Sequence, residues 1–145
     1  MGGEIIHPEL IDAGRHVDER GALTFFNGLS LEAVKRFYVI EAFNTETIRA
    51  WQGHKKERKW FHVTEGAFKV VLVKPDSWDE PSQDLRYEEF MLDHKKAQVL
   101  AVPSGYATGF KALDEKSKLL VFSDFSLEES MEDDFRFDKN LWYKW

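Results

Sequence analysis

Between residues 49 and 61 the chain gathers Arg49, Gln52, His54, Lys55, Lys56, Arg58 and Lys59 among the aromatics Trp51, Trp60 and Phe61. An imidazole between cations suits proton transfer beside a carbonyl. Histidine, with an ordinary pKa of about 6.5, is largely neutral at cellular pH and can take the proton. A nearby cation then holds the oxygen on which negative charge develops. His54 is therefore a candidate base, and the cations around it, Arg49 and Lys59 among them, could hold the oxygen. If this segment is a strand lining a barrel, its ionisable groups face a pocket.

The surrounding sequence supplies such strands. Residues 34–40, 60–63, 68–73, 99–102 and 118–122 are short runs of β-branched and aromatic residues, which fit pleated surfaces. Glu65-Gly66 reads as a tight hairpin turn, and Pro103-Ser104-Gly105 as a sharp break. One or two short helices are expected, the candidates being 30–35 with Ser30 as cap and 127–134. Residues 75–82 form a polar loop bracketed by Pro75 and Pro81. The fold class is all-β, with the strands packed as a jelly roll or closed into a barrel so that edges are covered.

Composition narrows the partners. The 145 residues suit one domain spanning 1–145. A formal net charge of −6 argues against nucleic acid, whose phosphates require a positive field, so an anionic ligand must be held by local cations. The apolar residues fall in short runs, and no membrane helix is expected. There are no cysteines, the first residues lack the pattern of a secretory signal, and a cytoplasmic location is expected.

Four stretches carry a resemblance. Asp18-Glu19-Arg20-Gly21 matches a D-x-R-G motif, and residues 34–40 resemble a K-R-x-Y strand. Residues 49–55 resemble R-G-x-H-A-H-K, and residues 103–110 resemble P-x-G-F-A-H-G-F. In this order the chain resembles the sugar-nucleotide branch of the cupins, which contains dTDP-4-dehydrorhamnose 3,5-epimerase and the WxcM-like dTDP-4-keto-6-deoxyglucose 3,4-ketoisomerases. The resemblance implies a cupin-type jelly-roll β-barrel (a double-stranded β-helix), usually a homodimer, with a nucleotide-linked keto sugar in the mouth of the barrel. It implies an isomerase or epimerase acting on a nucleotide-linked 4-keto-6-deoxyhexose without a cofactor.

The resemblance also assigns roles. Arg20 matches an arginine near the nucleotide phosphates, where a guanidinium binds two oxygens at once. Arg49 and Lys59 match cations that face the substrate. Arg36 and Tyr38 match the strand bordering the sugar, which makes Tyr38 a candidate proton donor, and Tyr106 is a further substrate-binding candidate. The usual catalytic histidine falls at Gln52, which is left to bind substrate, and the epimerases' tyrosine acid falls at Leu120. Leu23, Phe25 and Ala50 replace residues that accompany thymidine recognition in the epimerases, so a different nucleotide is open. No metal is expected, because Gln52 and Thr108 stand where metal-binding cupins carry imidazoles. Gln52, Thr108 and Leu120 also support an alternative, a non-catalytic carbohydrate-binding or regulatory cupin.

The remaining candidates read as structural. His7, His16, His62 and His94 lack a chemical context, and Lys55, Lys56 and Arg58 read as a solvated turn. Trp51, Trp60 and Phe68 read as barrel wall, and the aromatics of 135–145 as a tail packed on the barrel or across a dimer interface.

Overall fold

Alternation of inward and outward side chains builds two sheets in the computed structural model, which describes residues 6–145. The first sheet has the order β1 (Glu9–Asp12), β9 (Gln98–Val102), β6 (Lys59–Glu65), β11 (Ser117–Ser123) and β4 (Arg36–Ala42). The second has the order β12 (Phe135–Arg136), β5 (Ile48–His54), β10 (Tyr106–Ala112), β7 (Ala67–Val73) and β8 (Tyr87–Asp93). A hairpin of β2 (Gly14–Asp18) and β3 (Gly21–Phe25) pairs only with itself. Neighbouring strands run antiparallel throughout. This is the expected all-β jelly roll.

The two sheets enclose a core of Phe61, Val63, Phe68, Val70, Leu72, Leu100, Leu119 and Val121, each such side chain contributing roughly 1.5–3 kcal/mol by leaving water. Gly66 joins β6 to β7 with φ +71. A Cβ there would also lie 2.1 Å from Ser117 Oγ, so both backbone and space demand glycine.

The outer faces differ. Against the second sheet the C-terminal tail packs Trp142, Phe137 and Trp145 on Trp51, Val71 and Val73, and the Trp51 indole donates to the Leu141 carbonyl at 2.8 Å. The tail packs on the barrel, as one of the two expectations had it. On the first sheet, Phe26 and Leu29 cover Trp60 and Val99, but Phe37 and Val39 stay 66% and 52% exposed.

The helix expected at 30–35 is a turn. Ser30 Oγ accepts from the Glu32 amide at 3.3 Å, as a cap would, yet Val34 bonds back to Leu31 and β4 begins at Arg36. A few residues cannot repay helix nucleation when a β-rich run follows. The second helix forms, shorter than expected, as α1 (Leu127–Met131). Its N-cap Ser126 and Glu129 make a reciprocal capping box, and Lys35 bonds Glu129 at 2.8 Å. Lys35 first, then the Ser126 amide and hydroxyl, hold the Glu129 carboxyl down at about 2. Among the described residues no helix is long and apolar enough to cross a membrane.

Candidate functional site

A cavity of about 640 Å³ opens between the sheets, bounded by β4, β5, β6, β10 and the segment carrying α1 and β12. Its size falls within the roughly 300–1,000 Å³ common for small-molecule sites. The barrel contributes Arg36, Tyr38, Arg49, Gln52, Lys59 and Thr108, while the C-terminal segment contributes Ser130, Met131, Asp134 and Arg136.

A bulge brings Arg49 into this set. Arg49 pairs with Phe110 and Gln52 with Thr108, so Ala50 and Trp51 together oppose Gly109. Strict alternation would put residues three apart on opposite faces, whereas an extra residue in one strand restores both to the same face. Gly109 permits the arrangement: a Cβ there would come within 2.8 Å of Ala50 Cβ and of the Trp145 ring.

Lys59 is the most unusual cation of the cavity. It is 5% exposed, yet Nζ donates only to Gln52 Oε1, at 3.2 Å, and no carboxylate lies within ion-pair distance of it among the described residues. It stands 5.8 Å from the centre of the Tyr38 ring, which Arg36 approaches at 5.1 Å. Arg36 is tied back by bonds to the Phe125 carbonyl at 3.1 Å and to Glu57 at 3.5 Å. Arg49 is exposed and has no ion-pair partner among the described residues. Buried charge is ordinarily paired, so Lys59 is an exception, and Arg49 adds a second, exposed cation to the same cavity.

Gln52 links the barrel to the C-terminal segment. Its Nε2 donates to Asp134 Oδ1 at 3.2 Å, and Arg136 Nε donates to the same oxygen at 2.7 Å. Lysine can only donate and a carboxylate only accept, which fixes the amide's orientation. Burial raises the Asp134 carboxyl's pKa, but the bonds from Arg136 and Gln52 more than offset this and hold it below its ordinary value.

Behind this cavity lies a closed polar cluster. Glu57, with its side chain fully buried, accepts from Ser123 Oγ and Ser130 Oγ, each at 2.6 Å. The Asp133 carboxylate accepts from the amides of Lys55, Lys56 and Glu57 at 2.8–2.9 Å. His54 Nδ1 lies 2.7 Å from the Asp133 carbonyl and 3.4 Å from Glu57 Oε1. A carbonyl only accepts, so Nδ1 carries the proton and Nε2 is the bare nitrogen. Nε2 is buried without a partner. Burial first, and Lys59 second, depress the His54 pKa below its ordinary value, so the ring is neutral at pH 7.

Five of the eight expected site residues, Tyr38, Arg36, Arg49, Gln52 and Lys59, line the cavity. Three do not. His54 is 4% exposed, and its ring belongs to the cluster behind the wall. Arg20 sits in the β2–β3 turn with its side chain 83% exposed, paired with Asp18 at 2.7 Å. Tyr106 packs in the core, where burial first and Glu88 second raise its pKa. Leu120 faces away, toward Phe26, Leu29 and His62, because β11 turns Leu119 and Val121 inward. Arg58 is no solvated turn residue either, since its Nε bonds Asp124 at 2.7 Å.

Glu57, Asp133, Asp134 and Arg136 were not anticipated. Glu57 hides in a run of charges that reads as solvated. For the last two a signal exists: Asp134-Phe135-Arg136-Phe137 alternates like a strand, and β12 does pair Arg136 with Gln52. Among the described residues no group of three or more His, Cys, Asp or Glu side chains is placed to hold a metal ion. A second hollow, of about 690 Å³, lies beside the C-terminal tail against Trp142, Tyr143 and Trp145 and gathers no comparable set of cations.

Similarity to known proteins agrees with this architecture. A mutant of the 3,4-ketoisomerase QdtA from Thermoanaerobacterium thermosaccharolyticum, solved in complex with TDP-4-keto-6-deoxyglucose, superposes with a TM-score of 0.71 at 20% identity, covering 92% of this chain and 89% of that one. The rmlC epimerase of Mycobacterium tuberculosis gives a TM-score of 0.76 at 19% identity over 99% of this chain and 76% of that one. The dTDP-4-dehydrorhamnose 3,5-epimerase of Bacillus anthracis, with TDP and PPi bound, gives 0.74 at 23% identity over 95% and 84%. At these identities the likeness establishes the fold, that of the RmlC-like cupins. No curated protein matches the chain. The family model "FdtA: WxcM-like, C-terminal" matches residues 6–141, and the chain therefore belongs to the WxcM-like, C-terminal family.

Proposed function

We propose that this protein is a sugar-nucleotide isomerase or epimerase that moves a proton beside the ketone of a nucleotide-linked 4-keto-6-deoxyhexose. One observation carries the reading: Lys59 is buried in the cavity wall, and a neutral amide is its only hydrogen-bond partner among the described residues. Such a group suits an oxygen that gains negative charge, and its stabilisation grows as the enolate forms. Arg49, on the same face through the bulge, suits the diphosphate. Tyr38, between Arg36 and Lys59 in the cavity wall, is the proton donor. Family membership and structures solved with TDP or a TDP-keto sugar support the class of ligand.

Gln52 favours a second reading, a module that binds the sugar nucleotide without turning it over. Its amide is engaged on both sides, by Lys59 and Asp134, and neither takes up nor releases a proton at neutral pH. Incubation in heavy water with TDP-, UDP- and GDP-linked 4-keto-6-deoxyhexoses, followed by NMR, separates the two. The isomerase reading requires deuterium at a sugar carbon next to the ketone and a fall of about 10²-fold or more in Lys59→Met, a cost typical of losing one oxyanion donor. Binding without exchange supports the module.

The working unit we propose is a homodimer of single-domain chains. Phe37 and Val39 on the outer face of the first sheet leave apolar area that a second copy would cover.

A further inference from the structure

We propose, resting on the isomerase reading above, that Asp134 is the proton acceptor at the reacting carbon, standing in for the histidine that the resemblance places at Gln52. Among the described residues it is the one carboxylate lining the cavity. Its two oxygens are used unequally. Oδ1 accepts from both Gln52 Nε2 and Arg136 Nε, whereas Oδ2 has no hydrogen-bond partner among the described residues. The carboxylate is thus held in place through one oxygen and left with lone pairs on the other.

The placement relative to Lys59 matters as much. Lys59, Gln52, Asp134 and Arg136 form a continuous hydrogen-bonded chain along the cavity wall. One amide side chain therefore sets the spacing between the group that takes the proton and the group that holds the oxygen, the pair that enolisation needs. Asp134 is ionised at neutral pH because the donors that anchor it outweigh burial. Because its pKa is held below the ordinary carboxylate value, Asp134 is a weak base, and the step depends on Lys59 stabilising the enolate, as an oxyanion hole does for the aspartate base of ketosteroid isomerase. His54 offers a bare Nε2, but it lies in the closed cluster and not in the cavity lining.

The step balances without an added reagent. The C–H bond beside the ketone breaks, its proton passes to Asp134 Oδ2, and its electron pair moves into the enolate whose oxygen Lys59 holds. Return of a proton to the same carbon on the opposite face gives the epimer. Return to the neighbouring carbon, with a hydroxyl proton crossing between the two oxygens, moves the ketone instead.

The test is deuterium incorporation beside the ketone in heavy water, with titration calorimetry of the same TDP-, UDP- and GDP-linked keto sugars as a separate readout. Asp134→Asn should lower exchange by about 10³-fold while the dissociation constant changes by less than about fivefold. Asp134→Glu should keep part of the rate, and added formate should restore part of it to Asp134→Ala, a rescue that a purely structural role does not give. Exchange by Asp134→Asn within tenfold of wild type, or no rescue and no residual rate in Asp134→Glu while both fold and bind, overturns the assignment and leaves the isomerase reading standing. Wild type that binds these sugars and exchanges with none removes both together.

Discussion

Asp133 and Asp134 are consecutive acids with opposite fates, and each represents one of two neighbouring regions. Asp133 turns into a closed cluster, where its carboxylate accepts three backbone amides and its carbonyl fixes the His54 ring. Asp134 lines the open cavity, one oxygen anchored and the other without a hydrogen-bond partner among the described residues. The closed cluster pairs nearly every polar atom it buries, the exception being His54 Nε2. Among the described residues, Lys59 and Arg49 in the cavity have no counter-ion within ion-pair distance. Paired polar groups stabilise a fold, whereas under-paired ones that face a hollow are prepared for a ligand.

That contrast breaks most visibly at Glu57. Glu57→Ala strands two serine hydroxyls and should cost about 3–5 kcal/mol, read as a lower urea midpoint. A cost below about 1 kcal/mol would mean that the cluster is not structural. Gly109→Ala comes next, since its Cβ has no room beside Ala50 and Trp145. About 1–3 kcal/mol of stability should go, together with affinity for the nucleotide sugar as Arg49 rotates out of the cavity.

His54 gives a smaller effect with a definite sign. Its folded pKa is depressed, so below about pH 6.5 the unfolded chain binds a proton that the folded chain refuses. Stability therefore falls as pH drops through that value, by at most about 1.4 kcal/mol per pH unit from this group. It levels off once the folded pKa is passed. His54→Gln should show a shallower fall over the same range in thermal melts. Lys59→Met is the converse case: replacing a buried, unpaired cation with an apolar chain should leave the urea midpoint within about 1 kcal/mol of wild type, or raise it, while turnover is lost. Loss of both together would place Lys59 in the structural region.

Strands and turns were legible because alternation and Gly-containing turns report local geometry directly, and Ser126 with Glu129 marks α1 in the same way. The cavity was legible where alternation holds, as at Arg36, Tyr38 and Lys59. It was legible at Arg49 only through resemblance, because the bulge depends on Gly109, some 60 residues away in sequence. Alternation also places His54 on the same face as Gln52, but it cannot show that the Asp133 carbonyl and Glu57 hold the ring in a buried cluster. Glu57 was hidden because burial of a charge depends on partners at Ser123 and Ser130, distant in the chain. The turn at 30–35 carries a helix cap without a helix, because the strand that follows outweighs a local signal.

The most direct test of the division between cluster and cavity is the rate at which His54→Gln incorporates solvent deuterium beside the ketone of a bound nucleotide-linked keto sugar. Exchange within about tenfold of wild type is the predicted result, because the ring stabilises the wall and takes no proton from the substrate. Exchange reduced to background in a variant that still folds and binds the sugar would contradict it and return the base to His54.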